Sequence, residues 1–138
     1  MRILTLSAAL SVAMALAAPA APSDTNTALR SNERIYNGLF AIAVADQVRK
    51  NCDEIAPRLL RAYSFLHSLR AHANALGFSD EEITNFIEDR AEKDLMRAHV
   101  MRYFDANGVV ENKPETYCAL GHAEIAAGSQ AGALLRAR

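Results

Sequence analysis

The chain has 138 residues, 51 % of them hydrophobic, with 15 Lys+Arg against 16 Asp+Glu and a net charge of −1. That apolar fraction excludes a disordered chain, the length argues for one domain, and the balanced charge argues against a dedicated nucleic-acid binder.

The first twenty residues read as a signal peptide and not as part of the fold. Arg2 supplies a positive start, Ile3 to Ala18 is an uncharged apolar run of 16 residues, and Ala18-Pro19-Ala20 places small residues at the −3 and −1 positions of a cleavage site. The run is shorter than the roughly 20 residues that span a bilayer, and no second stretch of spanning length follows. Export to the periplasm or beyond is the expectation, with no transmembrane segment in the mature chain. No Cys lies near the cleavage point and no twin-arginine pair precedes it, which argues against a lipid anchor and against export of a folded cofactor protein. Removing residues 1–20 from the 138 leaves 118, and the loss of Arg2 moves the net charge from −1 to −2.

Residues 21–31 are polar and without periodicity, so a flexible arm is expected there, followed by a single helical domain over 32–138. The first helix is predicted from Asn32 to Lys50. Its centre, Gly38 to Ala45, is apolar on every side, which predicts cover by neighbours all round. Asp46 follows on the stripe of Ile35, Leu39 and Ile42. A carboxylate on an apolar stripe must be paired, protonated or at the stripe's edge. Arg49 and Lys50, at i+3 and i+4, are its expected partners in a buried or half-buried ion pair, with Arg58 or Arg61 as the other choice; the alternative is a ligand-binding or proton-handling role.

Pro57 suits a first helical turn, and Leu59, Ala62, Tyr63, Leu66, Leu69, Ala73 and Leu76 recur at helical spacing up to the stop at Gly77. A third helix begins at Asp80, where Ser79 and Glu82 form a capping box and Phe78 and Ile83 a hydrophobic staple. It extends to Ala106, and Asp89 with Glu92 repeats the capping pattern at a candidate break. The fourth helix is predicted from Lys113 to Ala127 with Asn112 as cap. Gly128 to Arg138 adds a short last turn. No hairpin signal or sustained alternation of β-branched residues appears. The expected fold is all-α: a bundle of about four helices with one disulfide.

Cys52 and Cys118 stand 66 positions apart. In an exported chain an even cysteine count reads first as a disulfide. The competing reading takes Cys118 and His122, at i and i+4, as metal ligands, but no Cys-x-x-Cys supplies the rest of a site. His122-Ala123-Glu124 has the His-x-Glu form of zinc deaminases without their Pro-Cys-x-x-Cys half. There is no Gly-x-Ser-x-Gly, no His-Glu-x-x-His and no phosphate-binding glycine loop. No catalytic residue, metal ligand or cofactor is assigned.

Charge is unevenly spread. Residues 55–78 contain Arg58, Arg61 and Arg70 with His67 and His72 and no acid, whereas 79–94 contain seven acids and two bases. The two segments either offset each other inside the fold, which is the expectation taken here, or leave a basic face for an anionic partner such as a lipid headgroup.

Several motifs together carry a resemblance. They are Ala45-Asp46-Gln47-Val48-Arg49-Lys50-Asn51-Cys52, Arg61-Ala62-Tyr63-Ser64-Phe65-Leu66, Gly77-Phe78-Ser79-Asp80-Glu81-Glu82-Ile83, and Cys118-Ala119-Leu120-Gly121 leading through Glu124-Ile125 and Gly128-Ser129 to Gly132 and Leu134-Leu135. In this order they resemble a family of small exported bacterial proteins known as domain of unknown function 5333. The resemblance implies export and paired cysteines; it implies no activity and carries over no catalytic residue. The leading expectation is a non-enzymatic interaction or accessory module of the periplasm, with an envelope protein as the class of partner. The alternatives are a small disulfide-bonded stress chaperone, similar in architecture only, and an enzyme or metal-binding protein of another type.

Overall fold

Side-chain caps at Ser23, Asn32, Ser79, Asp89 and Ser129 start five of the helices. In a computed structural model, which describes residues 23–138, 76 % of the described residues lie in seven helices. The expected signal peptide, 1–20, lies outside the described residues. Where a flexible arm was expected, Ser23 accepts a hydrogen bond from the Asn26 N–H and starts α1 (Asp24–Ser31). That helix has its own anchor: Leu29 is fully buried against Ile35, Ala73, Ile83 and Phe86. A single leucine in a polar segment leaves no period to read, so this docking was not visible in the sequence.

Asn32 ends α1 and caps α2 (Glu33–Asn51), accepting from the Ile35 N–H. α2 is the central element and packs against α1, α3, α5, α6 and α7. After it come β1 (Ile55–Pro57) and α3 (Leu59–Ala75), which gives way to Gly77 at φ +100°. Pro57 therefore sits in a strand rather than in a first helical turn. β1 pairs antiparallel with β2 (Leu135–Ala137) in the register Ile55↔Ala137, Ala56↔Arg136 and Pro57↔Leu135. Proline cannot donate to a ladder, and a two-stranded edge position tolerates it. The two three-residue strands pair across most of the chain, so no local pattern announces them.

The capping box at Ser79 and Glu82 opens α4 (Asp80–Glu88). The candidate break at Asp89 is real: its side chain accepts from the Glu92 N–H and starts α5 (Arg90–Ala106) as a separate helix. The bundle thus holds more helices than the four expected. α6 (Pro114–Ala127) begins on proline after Lys113, which makes no side-chain cap. Asn112, expected as that cap, instead adopts φ +63° in the preceding turn. Gly128 ends α6 at φ +62°, and Ser129 caps the short α7 (Gln130–Ala133).

Cys52, at the end of α2, is bonded to Cys118 in α6 with Cα atoms 5.1 Å apart. The bridge lies in the main core, where Val44, Val48, Ile55, Phe104, Leu120 and Leu135 meet. Small residues let these elements approach. A Cβ on Gly121 would lie 2.2 Å from Ile55 Cδ1, and one on Gly132 only 1.9 Å from the backbone oxygen of Glu124. Among the described residues no helix is long and apolar enough to cross a membrane.

Candidate functional site

Three of the candidate residues named from the sequence, Asp46, Arg49 and Lys50, meet at one place on α2. Asp46 accepts from Arg49 Nη2 and Lys50 Nζ, each at 2.5 Å. Arg58 and Arg61 take no part. The carboxylate is half-buried. Burial alone would raise its pKa, but the hydrogen bonds and charges of Lys50 and Arg49 outweigh that effect and hold it below the usual carboxylate value. Asp46 is thus kept ionised, which suits a structural anion better than a proton donor.

The apolar centre of α2 predicts cover by neighbours all round, but one side is left open. Its Leu39, Ile42, Ala43 and Asp46 face an open cleft of about 500 Å³. α5 forms the opposite wall through Met96, Val100, Met101 and Phe104, with Phe86 and Ile87 of α4 and Tyr117 of α6 completing the lining. Both walls follow helical spacing, so two apolar stripes confront one another without closing. α2 and α5 are held together beside the cleft by aromatic contacts. His99 stacks on Phe40 at 4.3 Å between centroids and on Tyr36 at 5.6 Å, and Phe40 meets Tyr103 edge-on at 5.3 Å.

The lining also includes polar groups: Asp46 and Gln47 on α2, and Glu92, Lys93 and Arg97 on α5. Glu92 is buried and accepts from Arg30 of α1 through one oxygen; its other oxygen, Oε2, is buried without a hydrogen-bond partner. Arg97 donates to Asp94 at 2.7 Å. The lining contains no Ser, Thr, Cys or His; its groups able to carry protons are Asp46, Glu92, Lys93, Tyr36 and Tyr117. Its size and its apolar surface with a few polar groups match those of small-molecule sites.

A second buried acid was also missed in the sequence. Glu124 of α6 accepts from the Tyr103 hydroxyl with one oxygen and from the Ser129 hydroxyl with the other. Ser129 Oγ in turn accepts from the Gly132 N–H at 2.9 Å. Desolvation, and then the Glu124 carboxylate, push the Tyr103 phenol up to about 12. The network fastens α5, α6 and α7 and leaves no free group for chemistry. The rule that singled out Asp46 would have found both acids. Glu92 continues the α5 stripe of Met96, Val100 and Phe104, and Glu124 that of Tyr117, Leu120 and Gly121.

The metal reading of Cys118 and His122 fails because the Cys118 sulfur is bonded to Cys52, while His122 faces Glu54 at 3.1 Å. Among the described residues no group of three or more His, Cys, Asp or Glu gathers to hold an ion. The basic and acidic segments offset each other at one point only, Arg70 to Asp80 at 3.3 Å.

The model of a protein family described as "Family of unknown function (DUF5333)" matches residues 27–136. No curated protein and no solved structure matches the chain.

Proposed function

We propose that this chain, which belongs to the DUF5333 family of unknown function, is an exported, non-enzymatic binding module that receives an apolar or amphiphilic small molecule between α2 and α5. The observation that carries this reading is the cleft of about 500 Å³, where the central helix leaves its Leu39–Ile42–Ala43 face uncovered. Open apolar surface opposed by a second apolar wall is stabilised when a ligand displaces its water. The composition of the lining supports binding over catalysis, since its carboxylates Asp46 and Glu92 are both engaged by cations.

Export is supported by the pattern of Met1 to Ala20 and by a disulfide, a bond that persists in oxidising compartments. Mass spectrometry of the cellular protein should give a mature N-terminus at or near Ala21. An intact Met1 would exclude cleavage.

Cleft binding is tested with the apolar fluorophore N-phenyl-1-naphthylamine and the filled variant Ala43→Phe. Saturable binding to the wild type is expected, weakened about tenfold or more by the new ring. The variant's thermal unfolding should stay at or above the wild-type temperature. Equal binding by the two proteins, or no saturable binding to either, would overturn the reading.

A further inference from the structure

We propose that the corner formed by the start of α3 and the β1–β2 ladder docks on an anionic lipid bilayer. α3 meets the fold through one stripe, in which Leu69 and Ala73 are buried and Ala62 and Phe65 are packed against the core. Its other side carries apolar residues that the fold does not use. Leu59, Leu60 and Tyr63 are 72, 87 and 74 % exposed. Two adjacent leucines and a tyrosine one turn later form a protruding patch, the reverse of the recessed cleft on α2.

Cations border this patch. Arg58 and Arg61 are exposed, and neither lies within salt-bridge distance of a carboxylate among the described residues. The ladder brings in the chain's last arginines: Arg136 stands opposite Ala56, and the Arg138 N–H donates to the Glu54 carbonyl at 2.9 Å. The Arg58 N–H donates to the Leu134 carbonyl at 2.8 Å, which fixes the start of α3 against the same segment. Two exposed acids precede β1, Asp53 and Glu54, the second 3.1 Å from His122, and the four arginines outnumber them. The remote strand pairing thus brings Arg136 and Arg138 beside the strand that leads into Arg58, Leu59, Leu60 and Arg61.

This combination selects its partner by charge. Leucine side chains enter the boundary between headgroups and acyl chains, tyrosine favours that level, and arginines around them meet lipid phosphates. An acidic protein surface would satisfy the arginines but would need a recess for the protruding leucines. A bilayer accepts them without one. The docking corner lies on α3 and the ladder, so it is independent of what occupies the cleft.

Co-sedimentation tests it, using protein purified as the cell processes it and vesicles of phosphatidylcholine alone or with about one-third phosphatidylglycerol. The processed wild-type protein should bind the anionic vesicles, and binding should fall as salt is raised. Leu59→Ser/Leu60→Ser removes only exposed side chains and should weaken binding about tenfold or more, and Arg58→Glu/Arg61→Glu should do the same. All variants share one N-terminus, so any contribution from residues 1–20 cancels. Ala43→Phe should bind as the wild type does. Equal binding to neutral vesicles, or unchanged binding by both double variants, would overturn the proposal. So would a dimer of the wild type that the leucine variant abolishes without change in vesicle binding, since the patch would then serve a second copy of the chain.

Discussion

Reducing the Cys52–Cys118 bridge gives the most quantitative test of how this bundle is held. The bond closes a loop with a sequence separation of 66. On the chain-entropy argument, a loop of that length removes about 4 kcal/mol of disorder from the unfolded chain. A domain of this size holds about 5–15 kcal/mol in total, so the loss is a large fraction of its stability. It corresponds to a fall in Tm of about 15 °C. Reduced wild-type protein is the right comparison, because both sulfur atoms stay in place and only the link is broken. Cys52→Ala adds a small void at a site that is 1 % exposed and should cost about 1 kcal/mol more. Urea unfolding with and without reductant provides the assay. The m-value should rise on reduction, since the freed unfolded chain exposes more surface. A reduced protein within about 1 kcal/mol of the oxidised one, with the same m-value, would refute the argument that the bridge acts on the unfolded state.

Gly132→Ala should cost about 3 kcal/mol or more in urea unfolding, because its Cβ would meet backbone atoms of Glu124 and Ile125 that cannot turn aside. Gly128→Ala, in open space at φ +62°, should cost only about 1 kcal/mol. Asp46→Asn should cost about 0.5 kcal/mol, the worth of partly exposed pairs one helical turn apart. The folded Asp46 carboxyl lies below its unfolded value, so its contribution is present above the ordinary carboxylate pKa and disappears as pH falls through the lowered one. Acid titration of stability should therefore be shallower in Asp46→Asn. Tyr103, raised to about 12, contributes stability that is complete below the ordinary tyrosine pKa and lost as pH rises toward 12. Ultraviolet titration should show one late-ionising phenol, absent in Tyr103→Phe.

Much of the local structure was legible because its causes are local. The capping box of Ser79 and Glu82, the Asp89 cap and the glycine at 77 each act within one turn, and the helices begin or end where those residues stand. The partners of Asp46 were readable for the same reason, since i+3 and i+4 are neighbours on any helix. The disulfide could be inferred from an even cysteine count, although its position in the main core could not. Glu92 and Glu124 were legible in principle as acids on apolar stripes.

What the sequence by itself determined was therefore the longer helices, the caps at Ser79 and Asp89 and the apolar stripes those helices carry. Only the tertiary structure decided which of those faces would be covered. The apolar centre of α2 specifies that it must be buried, but whether α5 closes over Leu39 and Ile42 depends on the separation of two helix axes. The two helices meet through the stack of His99 on Phe40 and Tyr36, formed between residues far apart in the chain. The same holds for the exposed leucines of α3 and for the β1–β2 ladder beside them. Local propensity acts over a few residues, whereas the cleft and the basic corner are products of long-range packing, which composition and periodicity do not encode.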